Sequence, residues 1–151
     1  MTDAKSLRIE DYFLGRTRAQ GLVEGRFGNV RRKFSVVIDG HAEDDIFVLD
    51  EKFQFDDGER TTRIWRVKTS AEGRYEGRAD DVVGVARGRA EGMQLSWAYS
   101  LRLPIGKRTW IIDFDDRMFL RDDGVLLNIA EMRKWGLAIG RLTIAFRQSA
   151  D

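Results

Sequence analysis

Met93-Gln94-Leu95-Ser96-Trp97-Ala98-Tyr99-Ser100-Leu101-Arg102-Leu103 alternates large apolar residues with small or polar ones along its whole length. Successive side chains of an extended chain point to opposite faces, so Met93, Leu95, Trp97, Tyr99, Leu101 and Leu103 share one face. Gln94, Ser96, Ala98, Ser100 and Arg102 occupy the other face. A helix would scatter this apolar set around its circumference. The stretch reads as a long antiparallel strand with one buried and one solvated side.

The same period recurs on both sides of it. Phe34, Val36 and Ile38 share a face, as do Phe47, Leu49, Phe53 and Phe55, and then Trp65 and Val67. Trp110, Ile112 and Phe114 follow, then Leu126, Ala130 and Met132, and finally Leu142, Ile144 and Phe146. Turn residues punctuate the runs at Gly28-Asn29, Asp39-Gly40, Asp57-Gly58, Glu72-Gly73, Glu91-Gly92, Pro104-Ile105-Gly106, Asp123-Gly124 and Gly136 to Gly140. Most turns lie roughly 12 to 18 residues apart, longer than the 8–12 of a short-stranded sandwich. The expectation is one all-β domain over residues 1–151: an up-and-down antiparallel barrel of nine or ten strands across 19–147, whose closure removes exposed edges. Ser6 to Leu14 is the one segment with a helical start, with Ser6 as cap, and would plug an end of the barrel.

The hairpin before Trp97 carries most of the information about the interior. Gly84, Ala86, Gly88, Ala90 and Gly92 place small residues on one face, while Val85, Arg87, Arg89 and Glu91 lie on the other. With Glu91-Gly92 as the two-residue turn, Ala90 faces Met93, Gly88 faces Leu95, Ala86 faces Trp97 and Gly84 faces Tyr99. Small residues then oppose large ones. Either the rings lie over the glycines and fill the barrel, or the small residues leave a ligand cavity, since ten long strands are hard to fill with side chains alone.

Four polar residues fall on inward parity: Glu51, Arg63, Asp116 and Asn128. An inward charge is costly unless paired. Glu51 or Asp116 with Arg63 satisfies that as a structural pair; alternatively the guanidinium meets a ligand carboxylate or phosphate. The candidate ligand-binding set is Arg63, Trp65, Trp97, Tyr99, Trp110, Phe114 and Asp116.

Composition removes many other functions. The chain has 151 residues, 42% of them hydrophobic, with 26 basic and 25 acidic residues for a net charge of +1. A core is possible at this size, and no large one-signed field marks a nucleic acid or a membrane as partner. There is no cysteine, so disulfides, thiol catalysis and thiolate zinc sites are excluded. The lone histidine, His41, follows Asp39-Gly40 and reads as a solvated turn residue. Twenty of the basic residues are arginine, and Gly-Arg occurs six times. The pairs are dispersed among hydrophobics, as turns and bulges are, and not clustered as in an RNA-binding segment. Asp113, Asp115, Asp116, Asp122 and Asp123 are clustered acids, but adjacent Asp115 and Asp116 point to opposite faces of a regular strand. Asp56-Asp57-Gly58-Glu59 lacks calcium-loop spacing. No G-x-S-x-G, P-loop or dinucleotide fingerprint occurs, and no cofactor or metal is implied. Residues 1–20 hold no apolar run of signal-peptide length, and no stretch approaches bilayer-spanning length, so the expected location is cytoplasmic.

Several strings together resemble a known family. They are Ile9-Glu10-Asp11-Tyr12-Phe13-Leu14-Gly15, Arg31-Arg32-Lys33-Phe34, Asp57-Gly58-Glu59 with Arg63-Ile64-Trp65, Trp97-Ala98-Tyr99, and above all Tyr75-Glu76-Gly77-Arg78-Ala79-Asp80-Asp81-Val82-Val83-Gly84 and Phe114-Asp115-Asp116-Arg117-Met118. In this order they resemble a bacterial family known only as a domain of unknown function, many of whose members are named as envelope lipoproteins. The resemblance implies a lipocalin-like, calycin-type barrel and no particular activity. In departure from such lipoproteins neither a signal segment nor a lipid-attachment cysteine is expected here, and Arg117 stands where an aromatic residue is expected. The expected function is binding of a small apolar or amphipathic ligand, such as an acyl chain or isoprenoid, inside the barrel. The alternatives are a filled barrel acting as a scaffold or interaction module, and an enzyme using Asp115, Asp116 or Asp81.

Overall fold

The computed structural model describes residues 6–149. A short helix, α1 (Ile9–Tyr12), precedes ten strands: β1 (Gly15–Gly25), β2 (Val30–Glu43), β3 (Ile46–Phe55), β4 (Arg60–Ala71), β5 (Arg74–Arg78), β6 (Ala86–Glu91), β7 (Gln94–Ile105), β8 (Arg108–Leu120), β9 (Leu126–Lys134) and β10 (Leu137–Gln148). Each strand pairs antiparallel with its neighbour in sequence, and β1 pairs with β10, from Thr17↔Gln148 to Gly25↔Gly140, to close a barrel. The expected architecture is present, with ten strands.

In such a meander the β1–β2, β3–β4, β5–β6, β7–β8 and β9–β10 connections gather at one end, and α1 lies at the other. There α1 is a plug. Leu7, Ile9, Tyr12 and Phe13 are all buried. The Tyr12 hydroxyl lies 2.7 Å from the Gly124 carbonyl, to which it donates, and the Phe13 ring meets Phe146 edge-on at 5.5 Å. Gly40 lacks a side chain because the Phe13 carbonyl occupies the place of a Cβ.

Several local expectations are corrected. The helix spans four residues instead of 6–14, and Ser6 does not cap it: Arg8 holds the N-cap position without a side-chain cap, and the Leu7 N–H donates to the Gly92 carbonyl at the end of the barrel. The first strand begins at Gly15, not Ala19. Its inward residues Thr17, Ala19 and Gly21 are small, so it carries no apolar alternation. Gly21 is required there because the Phe34 ring covers it. Asp39-Gly40 is not a turn but lies inside β2, together with His41; the chain reverses at Asp44-Asp45, where Asp44 takes a positive φ of 56°. The last hairpin turns at Trp135-Gly136 alone, and Gly140 lies within β10.

The β6–β7 hairpin turns at Gly92-Met93 instead of Glu91-Gly92, with Gly92 at a φ of 60°, which glycine takes without cost. The partners shift by two residues while the faces are unchanged. Gly88 therefore opposes Trp97, Ala90 opposes Leu95, and Met93 sits in the turn. Gly84 precedes β6 altogether, in the loop from β5.

Trp97 lies over both Gly77 and Gly88, and a Cβ built on Gly77 would stand 2.6 Å from its ring. Gly77→Ala is expected to destabilise the barrel by about 1–3 kcal/mol through overpacking, and less in a Trp97→Leu background, where the ring is gone. Denaturant unfolding of the two single variants and the double variant checks this. Equal losses in both backgrounds would show that the glycine does not answer to the indole.

Candidate functional site

Inward parity brings one set of side chains to a cavity of about 100 Å³ inside the barrel. Trp65 and Val67 of β4, Leu95, Trp97 and Tyr99 of β7, and Ile144 and Phe146 of β10 supply its apolar wall, and Ile9 and Phe13 lie at the plugged end. Trp65 meets Trp97 and Tyr99 edge-on, each with ring centroids 5.4 Å apart. Its polar lining is Glu51, Arg63, Asp116 and Asn128, the four inward polar residues read from the sequence.

Of the seven candidate ligand-binding residues, Arg63, Trp65, Trp97, Tyr99 and Asp116 line this cavity. Phe114 and Trp110 do not. Phe114 stacks on Tyr99 at 5.2 Å with the planes 3° apart, and so backs a cavity wall. Trp110 sits near the opposite end from α1, beside Trp135 and with the Lys134 ammonium 4.9 Å from its ring. Both are a consequence of position along β8, since sharing a face does not mean sharing a height.

Arg63 is paired, but not chiefly with Glu51 or Asp116. Its Nη2 and Nε donate to the Asp81 carboxylate at 2.8 and 3.1 Å, while the nearest Glu51 oxygen is 3.9 Å away. Asp81 comes from the loop after β5, and no strand periodicity could have placed it there. Its only advance sign was an acidic pair, Asp80-Asp81, in a segment that must return to the barrel. This pairing occupies the guanidinium edge that a ligand anion would need. Asp115 points outward, as alternation requires, yet Asp116 shares the cavity with another acid, Glu51.

Asp116 is 3% exposed and Asn128 is 2% exposed. One Asp116 oxygen, Oδ2, accepts from Asn128 Nδ2 at 3.2 Å and from the Tyr99 hydroxyl at 3.3 Å. The other oxygen, Oδ1, has no partner, and neither has Asn128 Oδ1. Buried acceptors are seldom left so. Burial pushes the Asp116 carboxyl up to about 7, although the bonds from Asn128 and Tyr99 oppose it. Burial also raises Glu51 to about 7, against the attraction of Arg63, and lifts the Tyr99 hydroxyl well above its ordinary range. Among the described residues no group of three His, Asp or Glu side chains is placed to hold a metal, and no helix is long and apolar enough to cross a membrane.

Residues 1–148 match a family described as "Protein of unknown function (DUF3833)". The chain belongs to the DUF3833 family. No curated protein matches its sequence. Among solved structures, the S-type phycobiliprotein lyase CPES from Guillardia theta superimposes with a TM-score of 0.64, covering 95% of this chain and 92% of its own at 9% identity. At that identity the likeness is one of fold. This DUF3833 protein is a lipocalin-like barrel.

Asp116 and Glu51 bind a proton more tightly in the folded chain than in the unfolded one. The folded state therefore holds extra protons between about pH 4 and pH 7, and stability falls as pH rises through that window. Asp39, held low by the Arg16 guanidinium, titrates below it. Denaturant midpoints are expected to drop from about pH 5 to about pH 8. Asp116→Asn and Glu51→Gln should each flatten the drop by roughly 1–3 kcal/mol. A stability that rises across this interval would show the two acids to be ionised and compensated.

Proposed function

We propose that the barrel binds a small amphipathic molecule, with a ring-sized apolar part against Trp65 and Trp97 and a hydrogen-bond donor on Asp116 and Asn128. The observation that carries this reading is a pair of buried oxygens without partners, Asp116 Oδ1 and Asn128 Oδ1, on two residues that line the cavity. Asn128 Oδ1 is an acceptor waiting for an N–H or O–H, as is Asp116 Oδ1 when its carboxyl is ionised, and leaving such a group unpaired costs about 1–3 kcal/mol. A cavity with convergent polar groups and displaced acid pKa values is where ligands are ordinarily held.

Size limits the ligand. About 100 Å³ is below the 300 Å³ or more of common ligand sites, but close to the ~150 Å³ of an apolar cavity that takes benzene. A ring or a short chain segment fits. A whole acyl chain or isoprenoid would need Phe34, Phe53 or Leu142 to move. The fold itself is compatible with action on another molecule, since its neighbour from Guillardia theta is a phycobiliprotein lyase. The filled-barrel scaffold is the second reading, favoured by the same small volume and by the packing of Trp97 over Gly77 and Gly88.

Native mass spectrometry before and after organic extraction is expected to reveal a removable adduct. Indole and phenol, which pair a ring with a donor, should raise the melting temperature more than toluene does. Asp116→Leu should weaken the indole and phenol affinities about tenfold, the worth of one hydrogen bond to a charged or buried acceptor, while leaving toluene unaffected. An adduct-free mass together with no response to any of the three probes would favour the filled barrel.

A further inference from the structure

The end of the barrel away from α1 is divided by charge and by apolarity. Around the closed sheet, the β1–β2, β9–β10 and β7–β8 tips are consecutive, because β1 pairs with β10 and β8 with β9. Residues 25–31, 132–139 and 103–110, the tips with the strand ends that flank them, contain six basic residues and no acidic one, with Glu24 and Glu131 one residue further down the strands and Glu131 paired to Arg133. Arg26 and Arg31 belong to the first tip, Arg133 and Lys134 to the second, Lys107 and Arg108 to the third. The other two connections at this end are acidic, with Asp56, Asp57 and Glu59 in one and Asp80 and Asp81 in the other. A net charge of +1 conceals this separation.

The basic half also presents the two most exposed large hydrophobic side chains among the described residues. Phe27 is 90% exposed and Trp135 is 82% exposed, and Leu137, Val30 and Ile105 are exposed on the same three tips. Trp135 has a φ of 55°, a conformation that suits asparagine or glycine and strains a bulky side chain. An asparagine would make the turn without strain, so the turn itself does not call for an indole. Lys134 Nζ lies 4.5 Å from the Trp135 ring and 4.9 Å from the Trp110 ring, holding a cation between two aromatic faces at the rim.

We propose that this half of the rim docks on an anionic lipid surface, with Trp135 and Phe27 seated at headgroup level and Arg26, Arg31, Lys107, Arg108 and Lys134 facing lipid phosphates. Indole rings favour the membrane–water interface, and basic residues near an anionic leaflet add attraction that salt screens. The exposed aliphatic side chains separate this partner from a nucleic acid: Val30, Ile105 and Leu137 give nothing to phosphates or base stacks but enter an acyl boundary readily. A second copy with its basic half against this one fits poorly, since like charges would meet. The inference rests on the outer rim alone and stands apart from what the cavity holds.

Co-sedimentation with phosphatidylcholine vesicles, with and without phosphatidylglycerol, tests it. The protein is expected to bind the phosphatidylglycerol vesicles with a blue shift of tryptophan emission, and to be released in about 1 M salt, where the Debye length is about 3 Å. Trp135→Asn suits the backbone and should fold as well as the parent, yet lose the shift and most of the binding. Lys107→Gln and Arg108→Gln should each weaken binding roughly fivefold. Failure to bind the anionic vesicles, equal binding to the neutral ones, or unchanged binding by Trp135→Asn overturns the proposal. So does a dimer in analytical ultracentrifugation that Trp135→Asn dissolves, which would make the rim an interface between copies.

Discussion

The ladder between β1 and β10 is the constraint on which the rest depends. Without it, Gly15–Gly25 and Leu137–Gln148 would be the two open edges of a sheet, each with a row of unpaired backbone groups. With it, the sheet has an inside, and every inward residue must be reconciled with its neighbours across the lumen as well as along its strand. The strand that closes the barrel has small residues at its first inward positions, Thr17, Ala19 and Gly21. They make room for Phe34, whose ring covers Gly21. Closure also separates two ends, and α1 seals only one of them.

Inside, two kinds of fit coexist. The aromatic part is tightly matched, with Trp97 over Gly77 and Gly88 and Tyr99 stacked on Phe114. The polar part is not. Asp81 satisfies Arg63, which leaves Glu51 and Asp116 largely without a cation of their own and explains why burial, not charge pairing, governs their protonation. At pH values below about 7 both acids are mostly neutral, and a neutral carboxyl can donate as well as accept. The lining is therefore able to meet either a donor or an acceptor, depending on pH.

Most of this interior was legible as parity. Alternation across Leu95–Leu103, Phe34–Ile38 and Trp110–Phe114 identified the strands, and the inward set Glu51, Arg63, Asp116 and Asn128 is the polar lining of the cavity. What parity cannot supply is height along the barrel and partners across it. Phe114 and Trp110 share a face with Asp116 but not its surroundings. The β6–β7 register was out by two residues because Glu91-Gly92 and Gly92-Met93 both put a glycine in the turn; with Gly92 at the first central position it is the glycine that takes the positive φ there, which Glu91 would otherwise adopt under strain. β1 was hidden because its inward residues are small. The pairing of Asp81 with Arg63 was hidden because loops carry no period.

The positions that break local rules are informative in themselves, since a sequence otherwise consistent at every level tends to violate those rules where something besides folding is selected. Two kinds of violation stand out here: buried oxygens without donors at Asp116 and Asn128, and a strained, exposed indole at Trp135. Neither helps the barrel to fold. An aliphatic residue at 116 and an asparagine at 135 would serve the fold better, by removing an unpaired acceptor in one case and a strained φ in the other. One lies in the lumen and the other on the unplugged rim, the two regions of this barrel where a second molecule can be met.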